Sequence, residues 1–143
     1  MKQFLFRLWL FCLFVMAGGS NNASARYTGP DQLRREIFFL QSVTKVSKYE
    51  YKKIEDVARY CIDHPACKIT IDGYAEDEVD AKDKENDSIQ QILSEKRCES
   101  VKKIFIEEYG IDEKRLIVKG HGRTVRPFPV APKNRCVIIT VCE

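Results

Sequence analysis

The sequence is poor in the residues that build metal centres and hydrolytic sites. It has only two histidines among 143 residues, and neither has a cysteine at zinc-finger spacing. No CxxC pair occurs, so a zinc site is not expected. No serine or second histidine accompanies His121 at a spacing that a nucleophilic site would need. The sequence therefore predicts a protein with no metal, no cofactor and no enzymatic activity.

An excess of one charge is also absent. The formal net charge is +3, and acidic and basic residues alternate along the chain. A protein that holds a phosphate backbone needs a continuous basic face. Nucleic acid is therefore excluded as an expected partner.

The first 25 residues differ from the rest of the chain. Lys2 and Arg7 form a short basic region, and Leu8–Ala17 is uncharged and apolar. That run is shorter than the roughly 20 residues that span a bilayer. Ala23–Ala25 then offers a small-residue cleavage site. This pattern predicts a cleavable signal peptide at residues 1–25, with an uncleaved anchor as the alternative. No later run is long enough to span a membrane, and the mature chain keeps a net charge of about +1, because the segment has two bases and no acid.

Five cysteines follow this segment. Export permits disulfides, and an odd number leaves at least one thiol unpaired within the chain. Cys61 and Cys67 flank a His-Pro helix exit and form a candidate disulfide across that turn. Cys136 and Cys142 lie on one face of a predicted strand, roughly 20 Å apart, too far to bond each other.

Apolar periodicity predicts a β-α-β-α-β-β order after a lead-in at residues 26–34. This order implies an α+β domain over residues 35–143, a two-layer sandwich with helices on one face of a small mixed four-stranded sheet. The predicted strands are Arg35–Gln41, Lys68–Asp72, Leu116–Lys119 and Arg135–Val141, and the helices are Tyr51–Ile62 and a segment from Asp87 to Gly110.

The second helix carries an arginine within its apolar stripe. Leu93, Arg97 and Val101 follow one another at helical spacing, and a guanidinium that leans towards a core needs an anion or a path to water. The strand-like run Ile69–Glu76 ends on a carboxylate. We therefore expect an acid at the strand end near an inward-leaning arginine. The alternative is that Arg97 lies at the rim of the stripe and extends to water. The predicted stripe comprises Ile89, Leu93, Cys98, Val101 and Phe105.

Two connections have distinct compositions. Glu76–Asp87 is strongly charged and reads as a solvated loop rather than a calcium site, because it lacks spaced oxygen ligands and a glycine. Asp87 and Gln90 have the spacing of a capping box, which predicts the helix start. Arg123–Lys133 contains three prolines and predicts a stiff, non-helical connection.

Several motifs occur in an order that resembles one family. They are LSEKRCESVKKIFIEEYGI from Leu93, ITIDGYAE from Ile69, Gly120-His121-Gly122 with a following proline, and NRCV from Asn134. Each motif alone is weak, but the ordered set resembles the OmpA-like C-terminal domain, the peptidoglycan-binding module of Gram-negative envelopes. The resemblance covers about residues 35–141.

The resemblance implies noncovalent binding of the diaminopimelate in the cell-wall stem peptide. The family's ligand aspartate falls on Glu76, its helix arginine on Arg97 and its asparagine on Gln90. Asn134 and Arg135 match the residues that line the site. It also implies a periplasmic protein of the cell envelope, associated with the outer membrane, with an envelope protein as a further partner.

Some positions depart from the family pattern. Glu76 is one methylene longer than the aspartate, Ala75 replaces a threonine and Val79 stands where the family has a glycine. The loop from Gly73 to Leu93 is longer, and Cys136 replaces an arginine. Two hypotheses therefore stay open: a domain that binds peptidoglycan, and a domain that keeps the fold but serves only protein interaction.

Overall fold

A computed structural model describes residues 33–76 and 84–142. The predicted signal peptide, most of the predicted lead-in and part of the acidic loop lie outside the described residues. The strands are β1 (Leu33–Phe38), β2 (Lys68–Gly73), β3 (Leu116–Gly120) and β4 (Cys136–Cys142), and the helices are α1 (Tyr51–Asp63) and α2 (Lys84–Glu107). Two short 3-10 helices span Glu113–Arg115 and Ala131–Asn134.

The four strands form one mixed sheet in the order β1-β4-β2-β3. β4 is antiparallel to both of its neighbours, whereas β2 and β3 are parallel. The predicted α+β fold class is confirmed. In this topology the last residues of β1, β2 and β3 lie at the same edge of the sheet as the first residue of β4. We call this edge, marked by Phe38, Gly73, Gly120 and Cys136, the Gly73 edge.

Alternation along the strands separates two cores. Side chains from one face of the sheet pack with the two helices, and the members of this main core include Ile69, Ile71, Val137, Ile139, Val57, Val101 and Phe105. On the opposite face, Tyr74, Cys136 and Ile138 form a small cluster against Phe38 and Phe128. The proline-containing connection before β4 therefore covers part of the open face at the Gly73 edge.

Helix α2 lies very close to the end of β2. A Cβ atom on Gly73 would lie 2.5 Å from the carbonyl oxygen of Ser94 and would also meet the Cys98 sulfur. This close approach explains the glycine. At its other end α2 stops as predicted, because Gly110 has a φ of 65° and its N–H donates to Ile106 O at 3.1 Å, the bond of a left-handed C-cap.

Three predicted details of these elements are wrong. β1 begins at Leu33, within the predicted lead-in, and ends at Phe38, because Phe38 pairs with Cys136, where β4 begins. α2 begins at Lys84 rather than Asp87, whose carboxylate forms an ion pair with Arg123. Ile89 is 55% exposed and so lies outside the buried stripe.

The candidate disulfide between Cys61 and Cys67 is not formed, since the cysteines of the described part of the chain are all free. The guanidinium of Arg115 bridges this turn instead. Arg115 Nη2 donates to the carbonyls of Cys61 and His64 at 2.8 and 2.9 Å, and it lies 3.1 Å from the Cys67 sulfur. None of the helices described here is long and apolar enough to cross a bilayer.

The buried thiols should be unreactive in the native protein. Burial raises the pKa of Cys61, Cys98 and Cys136 to about 12, and a hydrogen bond with Cys67 adds to the effect at Cys61. The thiolate is the reactive form, so these groups should not react at pH 8. In a thiol titration of the chain from Arg26 to Glu143, we expect at most the half-buried Cys142 to react before unfolding, and all five cysteines after it. A count of three after unfolding without reductant would instead show one disulfide.

Candidate functional site

The first half of helix α2 buries polar side chains. Gln90, Ser94 and Arg97 lie on one face of the helix and are all buried, whereas Cys98, Val101 and Phe105 form the apolar part of the stripe. Buried polar groups cost free energy unless they are hydrogen-bonded. The polar half of this stripe faces the Gly73 edge, so its partners identify a candidate site there.

Arg97 is fully buried and binds main-chain carbonyls. Its Nε donates to Val43 O at 3.0 Å. Nη1 and Nη2 donate to Tyr74 O and Leu40 O, each at 3.2 Å. The guanidinium also lies over the ring of Phe39, 5.3 Å from its centroid. Arg97 therefore ties the β1–α1 connection and the end of β2 to α2, and the alternative that it extends to water does not apply.

Ser94 fixes the connection that follows β3. Its hydroxyl donates to Gln91 O at 2.8 Å and accepts from Gly122 N at 2.9 Å. Gly122 O in turn accepts from Ala75 N at 2.9 Å. The segment after β2 and the segment after β3 are thus held together against α2, an arrangement that the sequence did not indicate.

Glu76 is bound through both carboxylate oxygens. Oε2 accepts a hydrogen bond from Asn134 Nδ2 at 2.6 Å, and Oε1 forms an ion pair with Arg126 Nη2 at 2.8 Å. The Glu76 side chain is 14% exposed and that of Arg126 is 60% exposed. Asn134 is buried because its amide both donates to Phe128 O and accepts from Phe128 N, each at 2.9 Å. The structure therefore brings Glu76 and Asn134 into direct contact.

Arg135 follows Asn134 in the chain and is half-buried. Its Nε is buried and has no hydrogen-bond partner in the described structure. Its carbonyl accepts from Phe39 N at 2.8 Å, so Arg135 lies beside the residue whose ring supports Arg97. A buried charged donor without an acceptor is costly, and an acceptor supplied by a ligand would remove that cost.

Gln90 is the fifth residue that the sequence indicated. It is buried on the same face of α2 as Arg97, seven residues earlier in the chain. Of the predicted set, Glu76 and Asn134 are thus in direct contact at the Gly73 edge, and Arg135 follows Asn134 in the chain. Arg97 and Gln90 line its α2 side from within.

The His121 side chain packs beside the end of β2. Its side chain is only 16% exposed, and Nε2 lies 2.7 Å from Asp72 Oδ1. The ring also stacks on Tyr74, with centroids 4.9 Å apart. These two contacts hold His121, the residue after β3, against the end of β2. Within residues 33–76 and 84–142, no group of three or more histidine, cysteine or acidic side chains is arranged to hold a metal ion.

The sequence did not mark Arg126 as a site residue. The prolines around it indicated only a stiff connection. That connection starts at the end of β3 and returns to the start of β4, and both points lie at the Gly73 edge. Its charged residues had to lie close to that edge, which was the signal that Arg126 would lie near Glu76.

Comparison with known proteins agrees with this architecture. A model of the OmpA family matches residues 38–135, more than half of the chain. The chain belongs to the OmpA family.

One curated relative of this OmpA-family chain is outer membrane porin F of Pseudomonas aeruginosa. The two are 28% identical over 93 residues, which is 65% of this chain and 25% of the porin. The chain thus spans about a quarter of the length of that relative.

Three solved structures show the same fold. The OmpA-like domain of FopA1 from Francisella tularensis is 23% identical with a TM-score of 0.70, and the match covers 80% of this chain and 76% of that one. The peptidoglycan-associated lipoprotein from Burkholderia pseudomallei is 18% identical with a TM-score of 0.61, over 75% and 89%. A periplasmic domain of Helicobacter pylori MotB is 20% identical with a TM-score of 0.61, over 78% and 75%.

The buried contacts of Arg97 predict a large effect on stability. Arg97→Ala would leave a cavity and remove the donors to three carbonyls, so we expect unfolding in urea to cost about 3 kcal/mol less than in the unchanged chain. Arg59→Ala is the matched control, because Arg59 forms an exposed ion pair with Glu55 on α1 and its loss should leave the urea midpoint nearly unchanged. Equal midpoints for both variants would contradict the structural role of Arg97.

Proposed function

We propose that this OmpA-family domain binds peptidoglycan noncovalently through the diaminopimelate of the stem peptide. Two neighbouring features of the Gly73 edge carry the proposal: a carboxylate held by Asn134, and a cation at the next residue in the chain. Asn134 binds the Glu76 carboxylate, and the next residue, Arg135, has a buried Nε without an acceptor. The names of two structural relatives support it, since one is peptidoglycan-associated and the other is a periplasmic domain.

The chemistry of this pair suits a zwitterion. Diaminopimelate presents an ammonium and a carboxylate on one carbon. Glu76 would accept hydrogen bonds from the ammonium. Arg135, which is only half-buried, would donate to the carboxylate, and its buried Nε would take part once the covering atoms moved. Charge-assisted hydrogen bonds of this kind contribute about 1.5–3 kcal/mol each, so two of them give useful affinity.

Arg97 and Gln90 would act from beneath the ligand. Arg97 donates to Tyr74 O, two residues before Glu76, so its charge lies at the same edge of the sheet. That positive charge favours a carboxylate above it. Because the Arg97 side chain is fully buried, a ligand would touch it only after the covering atoms moved. In this proposal Arg97 mainly positions the site, whereas Arg135 makes the direct contact.

The proposal includes the location of the protein. A signal peptide at residues 1–25 would export the chain, and the mature domain would lie in the periplasm, associated with the outer membrane. There it would tether itself, or an envelope protein that it binds, to the cell wall.

A second function has one observation in its favour. Both Glu76 oxygens already have partners within the domain. A domain that has lost its ligand and serves only protein interaction would show such a satisfied carboxylate.

Co-sedimentation with purified sacculi tests the proposal. We expect the chain from Arg26 to Glu143 to pellet with sacculi at low salt and to be released by free diaminopimelate. Glu76→Gln and Arg135→Gln should each weaken binding by roughly tenfold, because each removes a charge-assisted contact.

Glu107→Gln is the matched control for charge, since Glu107 is an exposed acid near the end of α2, away from the Gly73 edge. It should pellet like the unchanged chain. No pelleting, or pelleting that free diaminopimelate does not reduce, would contradict peptidoglycan binding through diaminopimelate and favour the protein-interaction function.

A further inference from the structure

Arg126 occupies the carboxylate that the proposed ligand needs. We propose that Arg126 is an internal competitor, which fills the ammonium position of the site in the free protein and must leave Glu76 when the ligand binds. This inference rests on the proposed function and adds to it a residue that sets affinity.

The two side chains that contact Glu76 differ in how firmly the rest of the structure holds them. The bond from Asn134 comes from a buried side chain that is fixed by two hydrogen bonds to Phe128. The bond from Arg126 comes from a side chain that is 60% exposed. A ligand ammonium could therefore replace the Arg126 guanidinium on Oε1 while Asn134 keeps holding Oε2.

The charges favour such an exchange. While Arg126 is in place, its charge neutralises that of Glu76. A ligand ammonium is therefore attracted to the Glu76 carboxylate only after Arg126 has left it. Because Arg126 is mostly exposed, water can solvate its guanidinium after it leaves, and the lost ion pair is of the weak, partly exposed kind. The Arg126–Glu76 ion pair is thus strong enough to compete with the ligand ammonium and weak enough to be displaced by it.

The expected size of the effect follows from the population of the open state. A ligand that binds only when Arg126 is away has its affinity reduced by the fraction of time that Arg126 is away. Because the Arg126–Glu76 ion pair is partly exposed and therefore weak, it lowers the fraction of molecules with an open site only modestly. Removal of Arg126 should therefore tighten binding by about two- to fivefold.

Calorimetric titration with the tripeptide L-Ala-γ-D-Glu-meso-diaminopimelate tests the inference on the chain from Arg26 to Glu143. Arg126→Ala and Arg126→Gln should both bind about two- to fivefold more tightly than the unchanged chain, and Arg126→Lys should stay close to it. Lys133→Ala is the control, because it removes one exposed positive charge from the same connection. Lys133 lies in the short 3-10 helix before β4, whereas the ion pair of Glu76 is with Arg126. Its affinity should not rise.

The outcomes separate the inference from the proposed function. Binding by all chains with equal affinity would overturn the competitor role and leave the function standing. Weaker binding by Arg126→Ala would also overturn it, since Arg126 would then be a ligand contact. Tighter binding by both Arg126→Ala and Arg126→Gln, with Lys133→Ala unchanged, would support it. No binding by any chain would overturn both.

Discussion

The structure depends on one buried guanidinium. Arg97 cannot lose its charge, so the fold must surround it with acceptors, and it does so with carbonyls from the β1–α1 connection and from the end of β2. These segments are far apart in sequence, and this side chain joins them. The burial of Arg97 therefore helps to position the residues after β2 that lead to Glu76.

Around this fixed point the Gly73 edge combines rigid and movable parts. Ser94 and Asn134 are buried and hold the connections after β3 and before β4 through hydrogen bonds to main-chain atoms. Arg126 is exposed and forms an ion pair with Glu76. A rigid frame positions the acid and the cation, and under the proposed exchange an exposed side chain on that frame would control access to the acid.

The fold could be predicted from the sequence more completely than the site. Periods of two and of 3.6 residues marked the strands and helices, and Arg97 stood out because it interrupts an apolar stripe. Its partners could not be predicted, because they are carbonyls, which every residue has. The Glu76–Arg126 pair joins residues 50 positions apart, and the early start of α2 coincides with the Asp87–Arg123 contact. Both depend on the packed connections rather than on local sequence.

The most direct test of this account follows the arginine Nε–H signals by NMR in the chain from Arg26 to Glu143, with and without meso-diaminopimelate. The account predicts that Arg97 Nε–H is protected from exchange with water in the free protein, because it is buried and bonded to Val43 O. It predicts that the Arg135 signal shifts when ligand is added while the Arg97 signal stays protected. Rapid exchange at Arg97 in the free protein, or a ligand that shifts neither signal, would contradict it.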